Sequence, residues 1–276
     1  MLATFLLLFA GGLVTSTDSG LAVPDWPLSY GSFFPPMVGG IRFEHTHRLI
    51  ASTVGLLTLI LTFWIGKTEK RTWIRRLAIA SLGAVVLQGI FGGLTVLFLL
   101  PVPISVAHAC LGPLFFCLVT VLATVTSPSW ETKGMPRFCS SAEIKNFHRL
   151  SLATTLFFFF QMILGAILRH TAKGVWPHLL TAIPVFILTS RLVTQAVSHF
   201  ADKKEIVRLA LFLGALVVTQ FFLGVGAFVF TRVPEIPHGL GQVIFPTFHQ
   251  TLGAVILTMG VLLCLYSNSK VVAAKP

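Results

Sequence analysis

Eight apolar stretches, each near the length that crosses a bilayer, leave this chain few ways to fold. In hydrocarbon every backbone N–H and C=O must find a partner, and an α-helix supplies those partners within one segment. A span needs about 20 mostly apolar residues. The stretches run roughly 2–16, 45–66, 77–100, 104–127, 150–169, 176–198, 207–231 and 247–267. Charged residues make up 11% of the chain, whereas soluble domains carry about 25%. The expected fold class is an all-α membrane protein with eight transmembrane helices. Segment 2–16 has no basic start and no small-residue cleavage site ahead of a soluble domain, so it is read as a span rather than a signal peptide. An Arg/Ser-rich transit stretch is also missing, which favours a multi-pass protein of a bacterial plasma membrane.

The net charge of +11 points to nucleic acid only until it is mapped. Lys67, Lys70, Arg71, Arg75 and Arg76 follow the second stretch, and Lys133, Arg137, Lys145 and Arg149 follow the fourth. Arg191, Lys203, Lys204 and Arg208 belong to the sixth stretch and its following loop, and Lys270 and Lys275 close the chain. All of these lie on one side of an eight-span topology. Arg42, Arg48, Arg169, Lys173 and Arg232 lie on the other, with Asp18, Asp25, Glu44 and Glu235. The positive-inside rule then places both termini in the cytoplasm. The charge orients the protein and calls for no nucleic-acid partner. Cys110, Cys117 and Cys264 fall in spans and Cys139 in an inner loop, so no disulfide framework is implied.

The chain reads as a duplicated four-helix unit, roughly 1–130 and 140–276, forming two pseudo-symmetric four-helix bundles. Gln88 precedes Gly92 by four residues, Gln161 precedes Gly165, and Gln220 precedes Gly224. The first span keeps Gly11 and Gly12 without the Gln. Small residues let membrane helices approach closely, and Gln can hydrogen-bond between them; the same glycines would clear space for a flat macrocycle. Trp26-Pro27 and Trp176-Pro177 extend the match, with both Trp residues read as boundary anchors. The halves differ in an outer loop, Ser16 to Phe43, which the second half lacks and which suits a lid or partner surface.

Four histidines occupy matching places: His47, His108, His178 and His249. His47 opens H-R-L-I-A and His178 opens H-L-L-T-A; His108 opens H-A-C-L-G and His249 opens H-Q-T-L-G. All begin even-numbered spans, hence lie near the outer face. Polar groups at membrane depth are costly and usually functional. Six-coordinate heme iron takes two axial donors, and neutral imidazole is a suitable one. Glu44 lies three residues before His47. An acid in a first helical turn is favourable by itself, and the same carboxylate suits acid/base work beside a substrate. No acid precedes His178 in this way, which suggests chemistry in the first half and electron transfer in the second. His45 is expected to face elsewhere. Arg48, Arg169 and His170 sit near the outer face, where guanidinium suits propionate carboxylates or simple snorkelling. His148, His199 and His238 are read as solvated.

Glu44–Arg48 (E-H-T-H-R), preceded by G-G-L-V-T-S-T-D-S-G-L-A-V-P-D-W-P at Gly11–Pro27, resembles the heme A synthase family. Q-G-I-F-G-G-L-T-V at Gln88–Val96, Q-M-I-L-G-A-I-L-R-H-T at Gln161–Thr171 and H-Q-T-L-G-A at His249–Ala254 carry the likeness through most of the chain. The resemblance implies an eight-helix enzyme that oxidises the C8 methyl of heme O to the formyl group of heme A. The heme I alcohol is its intermediate and water supplies the oxygen. It implies a resident heme b held by His178 and His249, with Arg169 and His170 nearby. It also implies substrate heme O held by His47 and His108, with Arg48 nearby, and Glu44 as the assisting acid. The partners it implies are the lipid bilayer, heme O synthase, an unidentified electron acceptor and cytochrome c oxidase assembly. Many bacterial relatives have a cysteine pair around P-D-W-P; here Val23 and Ser29 stand in those places, so a thiol role is not available. The rival from another class is a non-enzymatic diheme b-type electron carrier, which Glu44 beside only one pair disfavours. A transporter is weakened by parallel repeats without broken helices.

Overall fold

A computed structural model describes residues 1–131, 141–237 and 239–267. Lys133, Arg137, Cys139, His238, Lys270 and Lys275 lie outside the described residues. The described fold is all helical: α1 (Leu2–Ser16), α2 (Ile41–Thr68), α3 (Thr72–Leu97), α4 (Val102–Val125), α5 (Pro128–Glu131), α6 (Ser141–Thr171), α7 (Val175–His199), α8 (Lys204–Arg232) and α9 (Leu240–Ser267). The only strand-like pairing among the described residues is an isolated bridge between Ser29 and Ser32.

Each expected span appears, with two corrections. Seven helices, α2 to α4 and α6 to α9, are long and apolar enough to cross a membrane. The first, α1, has 15 residues, about 22 Å of helix at 1.5 Å per residue, which is short of a hydrocarbon core of about 30 Å. The single turn α5 was not expected. The seven long helices also start earlier than their apolar stretches do. Helix α2 begins at Ile41, α6 at Ser141 and α9 at Leu240, because helical hydrogen bonding continues past the point where apolar composition stops.

The chain divides into two compact units, Met1–Leu122 with Phe222–Thr251, and Ala123–Phe221 with Leu252–Pro276. In the first, α2 packs between α1 and α3. Its core gathers Leu7, Val54, Phe115 and Val119, flanked by Ala3, Ile50, Ala51, Ala84 and Val85. Close approach is also polar: Thr62 Oγ1 donates to the Ala78 carbonyl across α2 and α3 at 3.1 Å. In the second unit α6 lies along α7, joined by residues 172–174 with Ala172 and Gly174 at positive φ. Phe147 of α6 packs its ring against Phe200 at 4.6 Å. His148 and His199 are helical rather than loop residues, His148 half-buried and His199 exposed as expected. His148 Nδ1 lies 3.0 Å from Ser267 Oγ, and His199 Nδ1 lies 3.1 Å from a Glu143 carboxylate oxygen.

Candidate functional site

The four repeat histidines share one local geometry. Each ring lies against a glycine of another helix, edge-on through Cε1. A Cβ built on Gly11 would sit 3.1 Å from His47 Cε1, and one on Gly92 would sit 3.2 Å from His108 Cε1. The same distance is 3.1 Å for Gly165 and His178, and 2.9 Å for Gly224 and His249. In all four cases Nδ1 and Nε2 are the next nearest atoms, at 3.3–3.8 Å and 3.8–3.9 Å. The rings therefore meet the helix that seats them with the Nδ1–Cε1–Nε2 edge, and all four residues are half-buried. Among the described residues no three His, Cys, Asp or Glu side chains gather as they would around a bare cation. Two opposed imidazoles on a macrocycle need no such cluster.

The glutamines four residues earlier complete the seats. Gln88 Nε2 donates to the His108 carbonyl at 3.0 Å, and Gln161 Nε2 donates to the His178 carbonyl at 2.7 Å. Gln161 Oε1 in turn accepts from Thr181 Oγ1. Gly112 and Gly253, each four residues after a histidine, leave room for the Gln side chains. A Cβ there would lie 3.2 Å from Gln88 Nε2 and 3.4 Å from Gln220 Nε2, respectively. The Q-x-x-x-G pattern thus has a definite job: the amide grips the histidine backbone and the glycine admits its ring.

His47 and His108 belong to the same unit, close enough to interact electrostatically. His249 also belongs to that unit and His178 to the other, with Arg169 and His170 half-buried in the last turn of α6.

Glu44 and Arg48 have partners that sequence reasoning did not supply. Glu44 is 3% exposed. One carboxylate oxygen accepts from the Val23 N–H at 2.8 Å, and the other accepts from Arg48 at 2.6 Å. The Arg48 fork also donates to the backbone carbonyls of Asp25, Leu28 and Val23 at 2.6, 2.7 and 3.3 Å. His45 is buried and its Nδ1 lies 2.9 Å from Ser29 Oγ. Residues 44, 45 and 48 therefore bind the outer loop down onto the first two turns of α2, while His47 turns to Gly11. Val23 and Ser29 are both buried here. Trp26, joined to Pro27 by a cis peptide bond, is more than a boundary anchor. Its indole lies flat on Gly93, where a Cβ would come within 2.8 Å of the ring. The neighbouring glycine, Gly92, is the one that seats His108. Trp176 is 73% exposed, as a boundary anchor would be.

The loop has its own internal brace. The Asp25 carboxylate accepts from the Tyr30 and Gly31 N–H groups at 2.6 and 2.8 Å. The Gly31 bond foremost, with help from Tyr30 and the Arg48 charge, holds its pKa below the usual carboxylate range. A folded-state pKa below the unfolded one means the brace is intact above the unfolded value of about 3.9 and is lost as pH falls through the depressed folded value. Hydrogen exchange in the 28–34 segment, corrected for the intrinsic rate, should stay slow down to that acid limit. Asp25→Asn should speed it at neutral pH; equal exchange in both proteins would show that the carboxylate does not order the turn.

A family profile described as COX15-CtaA, cytochrome oxidase assembly protein, matches residues 41–177. That interval holds Glu44, His47, Arg48, His108, Gln161 and Arg169, and ends one residue before His178. Heme A synthase of Bacillus licheniformis is 28% identical over 63% of this chain and 57% of its own length. The Geobacillus kaustophilus heme A synthase is 27% identical over 64% and 57%. That of Bacillus pumilus is 27% identical over 73% and 74%. The alignment thus spans less than two thirds of the first two relatives and about three quarters of the third. With its seven long apolar helices, the chain is a multi-pass plasma-membrane protein that over residues 41–177 is similar to the COX15-CtaA family of cytochrome oxidase assembly proteins.

Proposed function

We propose that this chain is a heme A synthase, oxidising the C8 methyl of heme O to a formyl group through the heme I alcohol, with oxygen from water. The observation that carries the reading is the fourfold seat, in which each of four matched histidine rings is set edge-on against a glycine of another helix. Matched pairs of imidazoles are a donor set that would suit heme iron. His47 and His108 are proposed to hold substrate heme O. His178 and His249 are proposed, from the resemblance and the matched seats, as ligands of a resident heme b. Such a group, when bound, supplies one-electron redox chemistry that no amino-acid side chain here offers.

The protein's own contribution is orientation and proton handling. The Gln amides and the glycines fix the imidazoles so that substrate enters a preset frame. The outer loop, pinned by Arg48 and carrying Trp26 onto α3 beside the His108 seat, serves as a lid over the first pair. Glu44 is proposed as the group that takes up a proton as the methyl is oxidised. Both of its oxygens are already accepting hydrogen bonds, so this role requires that one bond open. Arg48, Arg169 and His170 are proposed to face propionates. The halves 1–130 and 140–276 are proposed as repeats with both termini cytoplasmic, in keeping with the distribution of Lys and Arg. Heme O synthase as supplier, an electron acceptor and delivery to cytochrome c oxidase complete the proposal.

The test is mass-resolved chromatography of hemes extracted from heme O-producing cells with and without this protein. Heme A or heme I should appear only with it. Unchanged heme O, with heme B copurifying in an intact protein, would replace the proposal by a diheme electron carrier. Glu44→Gln keeps an acceptor for Val23 but removes the charge. It should retain heme and lose at least tenfold in product, within the range that general acid–base groups contribute; full activity would remove Glu44 from the mechanism.

A further inference from the structure

Helix α7 carries an arginine where a membrane span has little use for one. Among the described residues Arg191 makes no ion pair or side-chain hydrogen bond, and it is exposed. The face of α7 that packs into the protein is Val185, Thr189, Leu192 and Ala196. The opposite face changes character along its length. Leu180, Ile183 and Ile187 are 60, 57 and 54% exposed. They give way to exposed Ser190, Arg191 and Thr194. Ser190, Arg191, Thr194 and Gln195 line an open hollow of about 330 Å³. A second hollow shares Gln195 and adds Glu143, Asn146, His199 and Phe200.

We infer that this face of α7 is a binding site for a membrane glycerophospholipid, held by its phosphate at Arg191. Three observations converge. An unpartnered arginine in a span is costly unless it meets an anion or reaches the interface. Arg191 is eight residues from the end of α7, about 12 Å along the axis. From there a snorkelling side chain reaches the phosphate level. Planar guanidinium beside the Ser190 hydroxyl and the Gln195 amide is a donor set for phosphate oxygens, while Thr194 Oγ1 donates to the Ser190 carbonyl at 3.0 Å. The isoleucine and leucine stripe on the same face provides a track for acyl chains, which distinguishes a lipid from free phosphate. The adjoining hollow offers acceptors, Glu143 beside His199 and the carbonyl oxygens of Asn146 and Gln195, to a headgroup that has donors. Phosphatidylglycerol and phosphatidylethanolamine have such donors and phosphatidylcholine does not.

The experiment is native mass spectrometry of the full-length detergent-purified protein, titrated separately with these three lipids and with inorganic phosphate. The expected result is one retained molecule of phosphatidylglycerol or phosphatidylethanolamine in preference to phosphatidylcholine. Arg191→Gln should weaken retention about tenfold, the scale of a charge-assisted hydrogen bond. Ser190→Ala, a milder change that keeps the charge, should give a smaller loss and serves if Arg191→Gln fails to fold. Equal retention by the variants and the parent overturns the site. So does displacement by millimolar phosphate, which would mark an anion site without a lipid. A parent protein that runs as a dimer and becomes a monomer on Arg191→Gln would assign the face to a second copy instead. None of these readouts depends on heme.

Discussion

Replacing Arg48 with Ala should destabilise the protein by about 3–5 kcal/mol, the cost of leaving one member of a buried ion pair alone. Glu44 and Arg48 side chains are 4% and 14% exposed and 2.6 Å apart, so solvent does little to screen the loss. The same guanidinium satisfies three loop carbonyls, and each becomes an acceptor without a donor when it is removed. Thermal melting in detergent should show the drop. Limited proteolysis should show where it falls, with new cleavage within 17–40 while helices α2 and α3 stay protected. Arg48→Lys should recover only part of the loss, because one ammonium cannot occupy the four positions that the planar fork reaches. An Arg48→Ala protein that melts with its parent and keeps its loop intact would mean that the pair is dispensable. Arg48 could then serve propionate binding alone.

Why the sequence exposes some of this arrangement and hides the rest follows from what each contact uses. Hydropathy locates the helices because the bilayer selects side chains along the whole span. It misplaces their ends because the first turns of α2, α6 and α9 extend through Glu44, Lys145 and Gln242, residues that a hydrophobic window rejects. The four histidines and the glutamine–glycine pairs are legible because they repeat. Their relation is less so: the glycines were expected to serve packing or a macrocycle, and they seat imidazoles. The outer loop was the least legible part. Arg48 reads backbone carbonyls, which every residue has, and Glu44 takes a backbone N–H. Nothing in the side chains of Val23, Asp25 or Leu28 announces either bond. The E-x-x-x-R spacing is that of an i,i+4 pair, the one signal in the sequence that could have joined the two side chains, and the sequence reading did not use it.

Gly92→Leu should disable the first histidine pair while leaving the fold in place. The ring of His108 already lies at contact distance, since even a Cβ at residue 92 would come to 3.2 Å from Cε1. Ala demands a shift of a few tenths of an ångström. Leu adds branches that the imidazole must vacate, while Gln88 still holds the His108 backbone in place. The ring then swings, and Nε2 leaves its position by an ångström or more. Misplacement on that scale costs about 100-fold in rate, whereas overpacking costs only about 1–3 kcal/mol of stability. Gly89→Leu on the same helix is the control, because Gly89 has open space around its Cβ direction. On the proposed function, heme A formation should fall about 100-fold in Gly92→Leu, less than tenfold in Gly92→Ala, and not at all in Gly89→Leu. The reduced-minus-oxidised spectrum separates the two pairs: the resident heme should keep its bands while substrate heme is no longer held. If both bands disappear together, the two pairs are not independent seats. If neither changes, the imidazole of His108 is not a ligand.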